Sequence, residues 1–169
     1  MKWVIIAVAS LVAVVLLITL IGFLLPKAHT ASVAKHYDAA PANVWALITQ
    51  RERFPEWRSD LRGVEQLPAT EGRARWKEQT KYDAVTMEVT EAVPEQKLVT
   101  RIADEGLPFG GTWTFELGQD GAGTLLTITE RGEVYNPIFR FVSRFVMGHT
   151  ATMEKFHADA ARALEKRES

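Results

Sequence analysis

Three titratable residues have the side chains that acid–base catalysis needs and could meet in one site: Glu78, Glu130 and His149. Alternation of apolar and polar residues places Glu78 on the strand face of Trp76 and Glu130 on that of Ile128. Because these faces are apolar, both carboxylates are expected to point inward. Burial raises the pKa of a glutamate and histidine titrates near neutrality, so the three groups could move protons in a cyclisation or dehydration.

The same three residues also fit a structural role. Glu78 and Glu130 lie near the ends of their predicted strands, where arginine or lysine could pair with them at a solvated rim. His149 could be a hydrogen-bonded residue of the core. Structural ion pairs perturb pKa values as active sites do, and we favour this structural interpretation over an acid–base site.

Two groups of basic residues also need an interpretation. One forms a row on the outer face of a predicted strand: Arg73, Arg75, Lys77 and Lys81. The row could contact anionic lipid headgroups, but we favour cross-strand pairing with acids such as Glu88 and Glu91. The other group surrounds a short predicted helix, and we interpret it as a solvated face: Arg51, Arg53, Arg58 and Arg62.

Several kinds of chemistry lack the residues that they need. The chain has no cysteine, which excludes disulfides, thiolate zinc sites and a thiol nucleophile. One E-x-x-H pair occurs, Glu154 and His157, whereas a di-metal carboxylate site needs two such pairs and further carboxylates. A nucleic-acid-binding protein usually has a surplus of basic residues, whereas this chain has 20 basic and 21 acidic ones. We therefore predict no metal, no cofactor and no nucleic-acid partner.

The start of the chain favours a membrane. Residues 3–25 carry no charge, and a helix of that length spans roughly 34 Å, more than a hydrocarbon core of about 30 Å. A cleavable signal peptide would have a shorter apolar run with a small-residue site at its end, but this run ends in Pro26-Lys27. We favour an uncleaved single-pass anchor over 1–26. Its very short head predicts a cytoplasmic N-terminus and an extracytoplasmic domain.

The rest of the chain predicts one α+β domain, residues 33–169, joined to the anchor by a polar stalk at 27–32. Strand-forming residues begin the domain at 33–38. Pro41 suits the first position of a helix, which we expect over 41–49. A second short helix is predicted at 54–57, so that two short helices follow the first strand.

Period-two alternation then predicts six strands: 61–67, 72–80, 84–93, 96–104, 111–118 and 123–134. Their short connections favour antiparallel pairing. A helical period begins at Asn136-Pro137 and continues to about Lys166, with a kink expected at Gly148 and one apolar stripe that runs from Ile138 through Phe145 and Met153 to Leu164. A single long helix cannot fill one side of a twisted sheet of about seven strands. The sheet should therefore curve around the C-terminal helix and leave a cavity between them.

Side chains on the inward faces should line that cavity. The predicted lining residues are Trp76, Val85, Met87, Trp113, Phe115, Ile128, Phe145, His149 and Met153. The glycine-containing loop at 105–111 could form a mobile lip that carries Leu107 and Phe109.

Two stretches of this sequence resemble one superfamily. They are YDAAPANVWALIT at 37–49, followed by FPEW at 54–57, and the tail from Gly111-Thr112-Trp113 through Asn136-Pro137 to Gly148-His149. Over about residues 32–166 the chain is similar to the SRPBCC superfamily, which has the START-like, birch-pollen-allergen-like helix-grip fold. The superfamily includes proteins of the polyketide cyclase/dehydrase and lipid transport type. The resemblance implies a deep hydrophobic cavity, which members use to bind lipids, sterols, polyketides or plant hormones.

Three functions remain open at this point. We favour membrane-tethered binding or transfer of a hydrophobic small molecule or lipid, without catalysis. The alternatives are a cyclase/dehydratase-type enzyme acting on a polyketide-like substrate through Glu78, Glu130 and His149, and a protein-interaction module without ligand. An open, almost entirely apolar cavity would favour the binder. A buried Glu–His pair in an open cavity would favour the enzyme, and a filled cavity the interaction module.

Overall fold

In the computed structural model, which describes residues 1–168, an N-terminal helix precedes one α+β domain. The helices are α1 (Lys2–Leu24), α2 (Pro41–Thr49), α3 (Phe54–Trp57), α4 (Pro137–Val142) and α5 (Ala151–Glu168). A 3₁₀ turn (Arg51–Arg53) precedes α3, and a π-helical turn (Ser143–Met147) follows α4. The strands are β1 (Ala28–Tyr37), β2 (Gly63–Thr70), β3 (Arg73–Gln79), β4 (Ala84–Val93), β5 (Lys97–Ile102), β6 (Phe109–Asp120) and β7 (Gly123–Val134).

The seven strands form one antiparallel sheet in the order β1-β7-β6-β5-β4-β3-β2. Strands that follow one another along the chain pair, except that β1 joins the sheet beside β7. The core lies between this sheet and the buried faces of α2 and α5: Tyr37, Ala39, Val44, Leu47, Ile48, Leu98, Phe115, Leu126, Ile128, Met153, Phe156, Ala160 and Leu164. This architecture confirms the predicted α+β helix-grip fold.

Strand β1 begins five residues earlier than the sequence predicted. Residues 28–32, expected to form part of a polar stalk, pair with β7 from Ala28 opposite Glu133 to Ser32 opposite Thr129. The composition of residues 28–32 gives little indication of a strand, so this part of β1 depends on its hydrogen bonds with β7. The consequence is that His29 lies in the sheet, directly after the N-terminal helix.

The C-terminal helical region is interrupted instead of continuous. In the π-helical turn the Gly148 N–H donates to the Ser143 carbonyl (3.0 Å), which encloses one more residue than an α-helical bond does. Gly148 then has φ of 74°, a left-handed conformation that glycine adopts without steric cost. The break thus falls at the glycine where a kink was expected, and α5 starts afresh beyond it.

Because of this interruption, the predicted apolar stripe is wrong for the residues before Gly148. Each residue turns an α-helix by about 100°, so one extra residue moves the side chains before the break off the stripe of α5. Ile138 is 42% exposed and Phe145 is 60% exposed. Beyond the break the stripe is buried as predicted, from Met153 to Leu164.

Within residues 1–168, α1 is the one helix that is long and apolar enough to cross a membrane. Most of its side chains face away from the domain and are exposed. Its last turns pack on α4 so closely that a Cβ on Gly22 would lie 2.0 Å from the Pro137 carbonyl oxygen. The Arg140 guanidinium fixes this junction by donating hydrogen bonds to the carbonyls of Gly22 (3.0 Å) and Leu25 (3.3 Å).

Candidate functional site

A cavity of about 510 Å³ lies between the sheet and α5. Apolar side chains form much of its wall, including five that the sequence assigned to the lining: Trp76, Val85, Met87, Trp113 and Phe115. They alternate along β3, β4 and β6, so each strand contributes every second residue to the inner face. A volume of this size falls in the range of sites that hold a small organic ligand.

The cavity opens beside α4. Its more exposed lining residues are Glu133, Phe139, Gly148 and Thr152. All four lie at the end of β7 or in the helical region that follows, and α4 is the helix that packs on α1. The mouth of the cavity is therefore next to the end of the apolar helix.

A polar cluster lies in the wall near this mouth. Glu130 Oε1 is 3.6 Å from His29 Nε2, and the His29 and His149 rings stack with centroids 3.9 Å apart and planes 20° apart. Ser143 Oγ lies 3.4 Å from His149 Nδ1. Gly132 makes room for this cluster, because a Cβ there would lie 2.4 Å from His29 Cε1.

The environment shifts the pKa of all three titratable groups toward the uncharged form. Burial raises the pKa of Glu130, although His149 and a hydrogen bond from Trp113 act in the opposite direction. Burial lowers the pKa of His29. It also lowers the pKa of His149, with smaller contributions in the same direction from His29 and Arg144. At neutral pH both imidazoles are therefore uncharged, and each has one donor and one acceptor nitrogen.

A second polar group in the lining is an ion-pair network. Arg58 Nη1 donates to both carboxylate oxygens of Glu78 at 3.0 Å, and Arg58 Nη2 donates to Asp60 at 2.7 Å. The Trp76 indole also donates to Glu78 at 3.0 Å. Glu78 is thus fully occupied by structural partners.

The structure brings Glu130 and His149 together but holds Glu78 apart from them. Glu78 lies on β3 and Glu130 on β7, and three strands separate these two in the sheet. Of the other predicted lining residues, Ile128 and Met153 are fully buried in the core and Phe145 is exposed. None of these last three lines the cavity, because the first two are packed within the core and the third lies before the break at Gly148.

Two residues of the site were not found by sequence reasoning. His29 was assigned to the stalk, and its place depends on the pairing of β1 with β7, which nothing near His29 in the sequence indicates. Arg58 was assigned to a solvated face, but its side chain is only 11% exposed. The available signal was Glu78, because an acidic residue on the inward face of a strand needs a cationic partner nearby.

Arg73, the first residue of the basic row on the outer face of β3, has an acidic partner of the expected kind. Glu88, only 2% exposed, forms ion pairs with Arg73 (2.6 Å) and with Arg101 of β5 (2.7 Å). Glu91, the other acid expected to pair with the row, instead pairs with Lys97 of β5 at 2.9 Å. Within the described chain, no group of three or more His, Asp or Glu side chains is placed to hold a metal ion.

The antiparallel sheet wrapped on a C-terminal helix, with an apolar cavity between them, defines a START-like helix-grip protein. The profile of the polyketide cyclase / dehydrase and lipid transport family matches residues 37–153. The chain belongs to that family. Among curated proteins, none gives a significant match.

Solved structures of low sequence identity share the fold. A START superfamily protein from Mycobacterium smegmatis is 15% identical, with a TM-score of 0.66 over 82% of this chain and 98% of that one. A protein from Thermus thermophilus is 17% identical, with a TM-score of 0.67 over 83% of this chain and 100% of the other. The di-domain ARO/CYC StfQ from the steffimycin biosynthetic pathway is 12% identical, with a TM-score of 0.65 over 84% of this chain and 52% of StfQ. At these identities the likeness concerns the fold alone.

Proposed function

We propose that this protein binds a hydrophobic small molecule or lipid in its internal cavity and transfers it at a membrane to which α1 tethers it. The observation that carries the proposal is the apolar cavity, which opens beside the helix packed on α1. Membership of a family that includes lipid transport supports it. Burial of apolar ligand surface, at about 25 cal/mol per Å², would supply the affinity.

In this proposal α1 spans the bilayer as a single-pass anchor. After Lys2 this helix carries no charge and has only two polar side chains, Ser10 and Thr19, and most of its side chains are exposed. Arg140 satisfies the Gly22 and Leu25 carbonyls at the end of the helix, so α4 lies where the chain leaves the membrane. The exposed side chains of Phe139, Phe145 and Val146 would then enter the lipid interface, and the cavity mouth would face the bilayer.

Retention of the anchor and the side on which the domain lies have direct tests. Intact mass of the membrane-extracted chain should include residues 1–26, whereas a mass lacking them would identify a cleaved signal peptide. The domain is proposed to be extracytoplasmic. Protease added to intact spheroplasts should digest it, and protection until lysis would place it in the cytoplasm.

Cavity binding can be measured through methionine methyl groups in the full chain. The chain has four methionines; Met87 lines the cavity, Met153 is fully buried beside it, and Met1 is exposed. The protein, labelled with ¹³C at these methyls and placed in lipid nanodiscs, is titrated with 1-dodecanol. Binding should shift the Met87 resonance saturably while the Met1 resonance stays unchanged.

A matched pair of variants controls this experiment. Val85→Phe fills the cavity from β4, and Val93→Phe adds the same volume at an exposed position of the same strand. The first should abolish the saturable shift and the second should leave it intact. A Met87 resonance that never responds, or responds equally in both variants, would contradict ligand binding. It would favour the alternative of a protein-interaction module without ligand.

A second candidate function is a cyclase/dehydratase-type enzyme. The specific observation in its favour is the Glu130–His29–His149 cluster, which places a carboxyl group and two imidazoles side by side in the wall of an open cavity. A base could remove a proton next to a carbonyl, and an acid could protonate a departing hydroxyl. Incubation with a linear poly-β-keto thioester should then give a product that has lost water, and Glu130→Gln should slow its formation at least tenfold. Unchanged formation would exclude this role for Glu130.

A further inference from the structure

The polar groups of the cavity differ in how well their hydrogen-bonding capacity is used. Arg58 and Glu78 satisfy each other at 3.0 Å. By contrast, His29 Nε2 is 3.6 Å from Glu130 Oε1, which is too long for a hydrogen bond. The 3.4 Å from Ser143 to His149 is at the weak limit. The cluster near the mouth therefore keeps free capacity, in a wall that is otherwise mostly apolar.

We propose that Glu130, His29 and His149 form a headgroup site, and that its ligand is a neutral amphiphile with a hydroxyl group at one end of an apolar body. This inference rests on the proposed binding function and specifies its ligand class. The hydroxyl is held by the cluster, and the apolar body fills the cavity toward Trp76 and Met87.

The chemistry of the cluster matches a hydroxyl in both directions. A neutral imidazole has one donor and one acceptor nitrogen, and Glu130 adds acceptor oxygens. A hydroxyl donates one hydrogen bond and accepts others, so it can use both kinds of partner at once. A hydrocarbon would displace water from these partly buried groups and offer them no partner, which is costly in an apolar wall.

Charged headgroups fit less well. Among the cavity-lining residues of the described chain, Arg58 alone is an arginine or lysine, and it already donates to Glu78 and Asp60. A carboxylate or phosphate inside the cavity would therefore lack a free cation and would lie near Glu130, because Lys27, Arg140 and Arg144 line the recess behind the stacked rings and not the cavity. A quaternary ammonium could approach Glu130 but could not use any donor nitrogen of the two imidazoles.

The position of the cluster fits a ligand that arrives from the membrane side. A smaller recess of about 180 Å³ lies behind the stacked rings, lined partly by Leu25 and Lys27 at the end of α1. His29 and His149 line both spaces and form part of the wall between them. A headgroup held here stays at the membrane-side end of the cavity while the apolar body lies deeper.

The test compares four probes with the same chain of carbon atoms: 1-dodecanol, dodecanoate, dodecyltrimethylammonium and dodecane. Saturation of the Met87 methyl shift is measured for the full chain in nanodiscs. Because each probe partitions equally into the bilayer for every variant, the ratio between variants reports the cavity alone. The Met153 resonance, from a fully buried residue, verifies that each variant is folded.

His29→Phe keeps an aromatic ring in the stack and removes its nitrogens, and Glu130→Met removes both acceptor oxygens. Each should weaken 1-dodecanol binding about tenfold, which corresponds to one hydrogen bond of about 1.4 kcal/mol, and should leave dodecane binding unchanged. His36→Phe on β1 and Glu116→Met on β6 are the matched controls and should change neither.

The outcomes separate the headgroup site from cavity binding. If 1-dodecanol and dodecane respond alike in all variants, the headgroup site is wrong while cavity binding stands. If dodecanoate or the ammonium probe binds more tightly than the alcohol, the assignment to a neutral ligand is overturned. If no probe saturates Met87 in the unaltered chain, both proposals fail.

Discussion

Arg140 donates a hydrogen bond of 3.0 Å to the carbonyl of Gly22, which joins the end of α1 to the start of the helical region at the cavity mouth. The same side chain donates to the carbonyls of Leu25 (3.3 Å), Val134 (2.8 Å) and Tyr135 (2.9 Å), and it is only 6% exposed. One guanidinium thus satisfies carbonyls at the ends of both α1 and β7. The end of the apolar helix is therefore hydrogen-bonded directly to the domain.

Arg140→Met should destabilise the domain by about 3 kcal/mol, because hydrogen bonds to charged groups contribute about 1.5–3 kcal/mol each and are not additive. Urea unfolding in nanodiscs, followed by tryptophan fluorescence, measures the change. Arg144→Met, at an exposed position of the π-helical turn, is the control and should cost less than about 0.5 kcal/mol. Equal effects of the two substitutions would show that the junction adds no stability.

His157 should make the protein less stable in mild acid. Its Nε2–H donates to the Val33 carbonyl (3.1 Å) and its Nδ1 accepts from the Tyr37 hydroxyl (2.7 Å), so both nitrogens are occupied in the neutral form. Burial lowers the pKa of His157. Below about pH 6.5 His157 is protonated in the unfolded chain but stays neutral in the folded chain. Stability therefore falls as the pH falls from about 6.5 toward the lowered pKa of the folded state.

Thermal unfolding between pH 5 and pH 8 tests this pH dependence. His157→Phe should lower the unfolding temperature at pH 8 but reduce its decline toward pH 5. His36 gives a control of opposite sign, because hydrogen bonds with Asp38 and Asp120 raise its pKa. Its contribution is present in acid and is lost as pH rises through that raised pKa. An identical pH dependence in the unaltered chain and His157→Phe would refute the role assigned to His157.

The inner face of the sheet could be predicted from the sequence because strand alternation is a local property. Trp76, Met87 and Trp113 alternate with polar residues along their strands. Their side chains therefore share the inward face and line the cavity. The start of α2 was equally local, since Pro41 is its first residue.

The polar cluster could not be assembled from the sequence, because it depends on contacts between distant segments. His29 meets Glu130 only through the β1–β7 pairing, and it meets His149 only because the π-helical turn and Gly148 redirect the chain. Arg58 reaches Glu78 across the space between α3 and β3. A single sequence gives the type and face of such residues but not their partners.

Glu88 should stabilise the sheet at neutral pH and lose this effect in acid. A hydrogen bond from Arg101, assisted by Arg73 and opposed by burial, lowers the pKa of Glu88. Its stabilisation is therefore present above the usual glutamate pKa of about 4.3 and disappears as pH falls through the lowered value. Glu88→Gln should unfold at a lower temperature than the unaltered chain at pH 7, and the difference should shrink by pH 3. Glu91→Gln, at an exposed position, should show little difference at either pH.

Gly132→Ala should disturb the headgroup site without removing any polar group. A Cβ at Gly132 would lie 2.4 Å from His29 Cε1 and 3.0 Å from Glu130 Oε1, so the His29 ring must leave its present position. Moving the ring toward water should raise its pKa toward the ordinary histidine value of about 6.5. Titration of the imidazole proton resonances in the full chain measures this change. Gly118→Ala on β6, where a Cβ would meet no atom within 4 Å, is the matched control. If His29 titrates identically in Gly132→Ala and Gly118→Ala, the contact between Gly132 and the stacked rings does not set the chemistry of the cluster.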